Sequence, residues 1–292
     1  MGELPRFGPA GNEDRFFEEG NRGVMAAPAY VRGLGLDAYE YQGGHGIHIS
    51  DERASRLGAL ARENGVALSV HAPYFISMSS TEEEKRQNSV GYILQSARAA
   101  RAMGARRVVV HTGSCGKLPR AQALELARET FRSALAALDA EGLSDIRLCP
   151  ETMGKVGQLG TVEEVVELCG LDERLIPCLD FGHIYARSFG SLIKPAEFRA
   201  VFDAVENGLG TERMRRFHSH FSHIEYTEKG GEKRHLTFAD TAFGPAFEPV
   251  AELCVQKGCA PVFICESAGT QAHDACAMRE IYRRAERARE QE

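Results

Sequence analysis

Histidine or carboxylate closes short apolar runs of this chain again and again. Val-Val-Val-His ends at His111 and Leu-Ser-Val-His at His71. Arg-Leu-Cys-Pro-Glu ends at Glu151, and Val-Phe-Ile-Cys-Glu at Glu266. Pro-Cys-Leu-Asp-Phe-Gly-His supplies Asp180 and His183, and Arg-Phe-His-Ser-His-Phe-Ser carries His218 and His220. Imidazole nitrogen and carboxylate oxygen are the ligands of borderline and hard divalent ions. One histidine at a strand end is more often a hydrogen-bonded structural residue than a ligand. Here that reading would have to hold separately for every member of the set. Glu151 and Glu266 sharpen the point, because a buried, unpaired carboxylate costs several kcal/mol and a divalent cation offsets that cost. The chemistry expected is metal-assisted, with ligands gathered from many strand ends.

The elements that must position these groups alternate along the chain. Strands are expected near 6–8, 38–42, 67–72, 107–112, 146–152, 176–180, 216–222 and 262–266. Between them lie amphipathic stretches with helix signals. Residues 51–63 stop at Asn64-Gly65. Residues 81–103 open on a Thr-x-x-Glu capping box at Thr81, residues 119–141 carry proline in the first turn, and a shorter helix follows Thr161. Residues 195–206, 245–257 and 274–290 follow the same style, with a fraying Arg/Glu-rich end at 279–292. Eight strand–helix units in 292 residues predict a (β/α)8 TIM barrel forming one domain over 1–292. An open doubly wound sheet fits less well. No Gly-x-Gly-x-x-Gly follows the first strand, and the candidate ligands come from many strands rather than one switch point.

Bulk properties narrow the class. A net charge of −6 disfavours broad, non-specific nucleic-acid binding but leaves room for a local basic patch. No run approaches the length of a membrane span, and Met1–Pro9 lacks the pattern of a secretory signal, so a cytoplasmic protein is expected. The eight cysteines include no Cys-x-x-Cys pair and read as buried free thiols. No obligate protein partner is evident.

At the level of motifs the chain resembles the endonuclease IV family, the zinc-dependent apurinic/apyrimidinic endonucleases among the xylose-isomerase-like barrels. His71-Ala-Pro-Tyr-Phe-Ile-Ser is similar to that family's third-strand motif, and His111-Thr-Gly-Ser to its His-Pro-Gly-Ser. Glu151-Thr-Met-Gly-Lys-Val-Gly-Gln-Leu-Gly-Thr, Asp180-Phe-Gly-His183 and Cys265-Glu266-Ser resemble later motifs in the same order, over about residues 67–270. The resemblance implies a divalent-metal-dependent phosphodiesterase that cleaves DNA 5′ to abasic sites in base excision repair. It implies two or three Zn2+ ions, with Mn2+ or Fe2+ as alternatives, and a water between two ions as the nucleophile. His71 and His111 would hold one ion. Glu151, the catalytic carboxylate, would bridge to a second held by Asp180, His218 and Glu266. His183 would hold a third.

Two ligand assignments stay open. His218 and His220 face the same way, because strand side chains alternate with period two. The family motif aligns best on His218, which leaves His220 as a ligand, as a partner behind a ligand, or as a phosphate contact. The family's Asp-x-His for the third ion is absent. His235 takes the histidine place, Lys233 stands where aspartate is expected, and Glu232 or Glu225 are the candidate substitutes.

For the substrate, Lys117, Arg120, Lys155, Arg187, Lys229, Lys233 and Arg234 all follow strands and predict a basic rim around the metals. The resemblance places Tyr74 and Phe75 against DNA; packing over the barrel top is the alternative. Near the second strand the family carries a DNA-penetrating arginine, but this chain has Tyr41-Gln-Gly-Gly-His-Gly-Ile-His48. The rival activity on the same fold is a metal-dependent sugar isomerase or epimerase, with Glu151 and Glu266 as proton-transfer bases.

Overall fold

A computed structural model describes residues 4–291. In chain order the elements are β1 (Arg6–Pro9), α1 (Asp14–Glu18), a 3-10 turn (Val24–Ala26), α2 (Ala27–Gly33), β2 (Ala38–Gln42), α3 (Asp51–Glu63), β3 (Ala67–His71) and α4 (Glu83–Met103). Then come β4 (Arg107–His111), α5 (Arg120–Ala140), β5 (Arg147–Glu151), α6 (Val162–Cys169), β6 (Cys178–Asp180), α7 (Phe181–Arg187), α8 (Pro195–Leu209) and α9 (Thr211–Arg215). The last are β7 (His218–Phe221), β8 (Ile224–Thr227), β9 (Gly231–His235), α10 (Glu248–Lys257), β10 (Val262–Cys265) and α11 (Gln271–Glu290).

Eight parallel strands pair in the order β1-β10-β7-β6-β5-β4-β3-β2, with helices between them, and form a nearly closed barrel. The seam between β1 and β2 is carried by a single bridge from Ala10 to Glu40 and by Asp37 N–H donating to the Phe7 carbonyl at 3.1 Å. Gly8 permits this seam: a Cβ there would lie 1.7 Å from the Ala38 carbonyl oxygen.

All eight expected strands are present, most of them one or two residues shorter at their ends. The expected capping box at Thr81 does not form. Helix α4 starts at Glu83 with Glu82 as a cap that makes no side-chain bond. The true box is at Thr161, whose hydroxyl accepts from Glu164 N–H while the Glu164 carboxylate accepts from Thr161 N–H. The C-terminal segment is helical to Glu290, with Met278 and Tyr282 buried against the barrel and residues 287–291 exposed. The β8–β9 hairpin was not anticipated. It is antiparallel and outside the barrel wall.

Most of the core lies between strands and helices, where Phe7, Phe181, Phe202, Phe217, Phe221, Phe247 and Phe263 interlock edge to face or stacked. Inside the barrel, Val109, Cys149, Ile176 and Cys178 form a small apolar plug. The eight cysteines are unpaired, six of them buried. Among the described residues no helix is long and apolar enough to cross a membrane.

Candidate metal centre

The plug fixes where the polar residues point. Val109 and Cys149 face the barrel axis, and with a side-chain period of two so do His111 and Glu151, which are register partners at the ends of β4 and β5. The same parity sends Cys178 and then Asp180 inward on β6, and His218 and then His220 on β7. The β6–β7 register pairs Cys178 with His218 and Asp180 with His220. His218 therefore lies one layer deeper than the carboxylates, and His220 is level with them.

The result is one continuous cluster. Glu151 is its centre: Oε2 lies 3.5 Å from His71 Nε2 and 3.4 Å from His111 Nε2, and Oε1 is 2.8 Å from His220 Nδ1. Glu266 Oε1 is 3.4 Å from His220 Nδ1. Glu151, Asp180, His220 and Glu266 offer four ligand atoms within 4.8 Å of one another, and His71, Glu151 and His220 offer three. A further group, His183, Glu232 and His235, stands beside them.

The ring orientations suit metal binding. His71 Nδ1 donates to the Ala72 carbonyl at 2.7 Å, so its Nε2 faces Glu151. His183 Nδ1 donates to the Thr152 carbonyl at 2.9 Å and turns Nε2 towards Glu232, 3.5 Å away. A histidine whose other nitrogen donates to a carbonyl presents a lone pair to its site. Glu151 Oε2 and Asp180 Oδ2 are buried with no hydrogen-bond partner. Two orphaned carboxylate oxygens among imidazoles are the donor set a divalent ion fits.

Without an ion the charges are in tension. Burial, against the opposing pull of His220, and the neighbouring Glu151 and Asp180 push the Glu266 carboxyl up to about 7. Burial works against a charge on His183, yet Asp180, Glu232 and Glu151 raise it to about 9. Burial brings His111 down to about 3 and His235 to about 4.

Of the two candidate stand-ins for the missing aspartate, Glu232 is the one brought to His183. Glu225 is held by Lys233 at 2.5 Å and Arg234 at 2.6 Å. The hairpin carries Glu232 and His235 over the barrel mouth, and Gly154 makes room for Glu232 and His183: a Cβ there would lie 2.6 Å from Glu232 Cβ and 3.0 Å from His183 Cδ2. His235 Nδ1 pairs with Ser222 Oγ at 2.8 Å.

His218 is not among Glu151, Asp180 and Glu266. Its Nε2 lies 2.9 Å from Oε2 of Glu40, a residue outside the expected ligand set. Glu40 is fully buried. It accepts from Ser69 Oγ at 2.8 Å, and its Oε1 is 3.0 Å from His220 Nε2. The imidazoles beside it hold its carboxyl well below the usual range, although burial opposes this. Its signal in the sequence was parity alone: Glu40 lies two residues before Gln42, the register partner of His71.

The expected substrate contacts separate into two groups. Tyr74 and Phe75 are half exposed at 49% and 52%. The Tyr74 ring stacks on His111 with centroids 5.4 Å apart, and its hydroxyl donates to Gln42 at 2.9 Å. Lys117, Lys155 and Lys229 are exposed. Arg187 instead donates to the carbonyls of Met153, Lys155, Val156 and Gln158, and Arg120 holds Glu164 and the same loop. These arginines staple the loop after β5, so the free basic rim is made of lysines.

Relatives fit this geometry. Residues 28–288 match the sequence profile of the xylose isomerase-like TIM barrel family. The uncharacterised protein MJ0133 of Methanocaldococcus jannaschii is 32% identical over 252 residues, 86% of this chain and 89% of its own length. A probable endonuclease 4 of Acholeplasma laidlawii is 26% identical over 200 residues, 61% of this chain and 67% of its own length. Other probable endonuclease 4 proteins are matched over about half of theirs. Among solved structures, endonuclease IV from Thermus thermophilus superposes with a TM-score of 0.67 at 20% identity, covering 97% of this chain and 100% of its own. A D-tagatose 3-epimerase-like protein gives 0.65 at 21%, covering 87% and 89%. At those identities the two structures speak for the fold alone. With the profile spanning nearly the whole barrel, the chain belongs to the xylose isomerase-like TIM barrel family.

Proposed function

We propose that this protein is a divalent-metal-dependent phosphodiesterase of the endonuclease IV type, acting on DNA 5′ to abasic sites. The observation that carries the reading is the third ligand group, His183 with Glu232 and His235, next to a set that already suffices for one or two ions. Phosphodiester cleavage gains from several ions, which stabilise both the attacking and the leaving oxygen. His71 and His111 with Glu151 would hold one ion, Glu151, Asp180, His220 and Glu266 a second, and His183, Glu232 and His235 a third. His220 takes the strand-seven place here, with His218 behind it on Glu40. Bound Zn2+, Mn2+ or Fe2+ would neutralise the phosphate and acidify a water near neutral pH.

The chain's own groups have separate tasks. Glu151 is shared between the first two ligand sets and fixes their spacing. Glu40 orients His220 through its remote nitrogen. Tyr74 covers His111 and shields that side of the cluster from bulk water. With Phe75 it offers an exposed aromatic edge to a distorted duplex. Lys117, Lys155 and Lys229 supply phosphate contacts without competing carboxylates.

A second reading has one observation of its own. A cleft of about 590 Å³ lined by Tyr41, Gln42, His45, His48, Tyr74 and Gln271 opens beside Glu266, without lysine or arginine. It would suit a small neutral sugar, with Glu151 and Glu266 moving a proton on a hydroxy-ketone. Elemental analysis of the purified protein separates the two. More than one ion per chain, with chelator-sensitive cleavage of a phosphodiester, supports the first. One ion per chain with ketose epimerisation replaces it by the second.

A further inference from the structure

Phe189 breaks a rule that the rest of the chain keeps. Helix α7 ends in a Schellman turn, in which Gly190 N–H donates to the Tyr185 carbonyl at 2.9 Å and Phe189 N–H to the Ala186 carbonyl at 3.2 Å. That turn puts Phe189 at its left-handed position, with a φ of 54°. The matching positions after α4 and α10 are Gly104 and Gly258, with φ of 74° and 63°. Among the described residues every other positive φ belongs to glycine. A side chain there strains the backbone, and such strain is found where a residue has a task. Burial is not that task, since Phe189 is 44% exposed. Its ring leans on Tyr226 of β8, with centroids 6.3 Å apart. Tyr226 is in turn wedged edge-on between Tyr185 and Phe243, at 5.6 and 5.4 Å, so the ring of Phe189 is held outward on a fixed base.

The ring stands beside the metal centre. Phe189 lies six residues after His183, roughly 9 Å at the helical rise. Tyr226 belongs to the hairpin that carries Glu232 and His235. Arg187, two residues before Phe189, donates to the Val156 carbonyl, and Val156 N–H donates to the Gly230 carbonyl in the hairpin turn. Val156 is itself 38% exposed, and Lys155 and Lys229 are exposed at the same junction. The result is an apolar edge flanked by ammonium groups. Tyr74 and Phe75 rise from the loop after β3, whereas Phe189 rises from beyond β6, three strands further round the barrel. Aromatic rings thus stand on two sides of the ligand cluster. Cations that hold a phosphate backbone, next to a ring that stacks on or wedges between bases, are the combination that grips a nucleic acid. At about 3.4 Å per nucleotide along a duplex strand, 9 Å reaches roughly two or three steps from a phosphate held at the metals.

We propose that Phe189 is a substrate-binding residue, whose ring packs against a base step of the duplex two or three nucleotides from the cleaved phosphate. The left-handed backbone is what holds the ring out for that contact. The proposal rests on the reading of the metal centre as a DNA phosphodiesterase.

The test uses the purified, metal-loaded full chain and the variants Phe189→Gly and Phe189→Tyr, with kcat and KM measured on a duplex carrying one abasic site. Ion content by elemental analysis and circular dichroism are recorded for each protein. Phe189→Gly should keep the wild-type ion count and spectrum, raise KM about tenfold and lower kcat by less than about threefold. Phe189→Tyr keeps the ring and should stay within about threefold of the wild-type KM. A KM in Phe189→Gly within about threefold of wild type would overturn the proposal. So would a rise in Phe189→Tyr as large as in Phe189→Gly, or a loss of ions from Phe189→Gly, which would trace the effect to the loop rather than the ring. An absence of cleavage by the wild-type protein would overturn the reading of the centre, and this proposal with it, before any variant is compared.

Discussion

Replacing Glu40 by alanine would remove a residue that touches no proposed ion yet stands behind the whole centre. In the folded protein its carboxylate receives Ser69 Oγ at 2.8 Å, faces His218 Nε2 at 2.9 Å and lies 3.0 Å from His220 Nε2. All four side chains are buried, so water does not replace the lost acceptor. Each stranded polar group costs about 1–3 kcal/mol. Breaking a buried, hydrogen-bonded charge cluster from one side costs about 3–5 kcal/mol. Against a total of about 5–15 kcal/mol, the variant should fold but with a marked loss of stability. Losing the carboxylate behind a ligating histidine should also weaken metal affinity by about 10–100-fold, since His220 is no longer held in its tautomer and orientation. Urea denaturation of chelated protein reads the first effect, and competition with a chromophoric chelator reads the second. Glu40→Gln, which keeps the volume and one acceptor, should recover part of both. A stability loss below about 1 kcal/mol, or unchanged metal affinity in Glu40→Ala, would refute the role given to Glu40.

Three further outcomes follow from particular contacts. Gly154→Ala should displace Glu232 and His183 and lower the metal count by one ion, with the other ions retained, as read by elemental analysis. Phe189, two residues past the end of α7, has a φ of 54°, a left-handed conformation that favours glycine, and its side chain is 44% exposed. Phe189→Gly should therefore be more stable than Phe189→Ala by about 1 kcal/mol in thermal or urea unfolding. Glu164 is largely shielded, and burial opposes its ionisation, but Arg120 and the N–H groups of Thr161 and Gly160 hold its carboxyl below the usual range. Because the folded value is the lower one, its contribution is complete above the unfolded value of about 4.3 and is lost as pH falls through the folded value. The stability gap between wild type and Glu164→Gln should thus be constant near neutrality and narrow in acid.

Much of the barrel was legible in the sequence because its strands are short apolar runs between capped or glycine-stopped helices. The gathering of histidines and carboxylates at strand ends was legible for the same reason: a polar residue directly after an apolar run has to be explained. What was not legible depends on register. His218 and His220 share a face, and only the pairing of Asp180 with His220 puts the second one level with the carboxylates. Glu40 lies within its strand rather than at the end, between two tyrosines, so its burial was hidden until the barrel closed over it. Glu232 could not be preferred over Glu225 before the hairpin was seen to turn Glu225 towards Lys233 and Arg234. Arg120 and Arg187 were counted into a basic rim by position, but their guanidinium groups are used up on loop carbonyls and on Glu164.

The central claim is phosphodiester cleavage at a multi-ion centre. Its most direct test is incubation of zinc-loaded protein with a duplex carrying one abasic site, with and without chelator, followed by analysis of the ends formed. The account predicts a single incision on the 5′ side of the abasic residue, leaving a 3′-hydroxyl, abolished by the chelator and restored by Zn2+ or Mn2+. An intact duplex under metal-replete conditions, from protein that instead exchanges a carbon-bound proton of a small ketose, would contradict it.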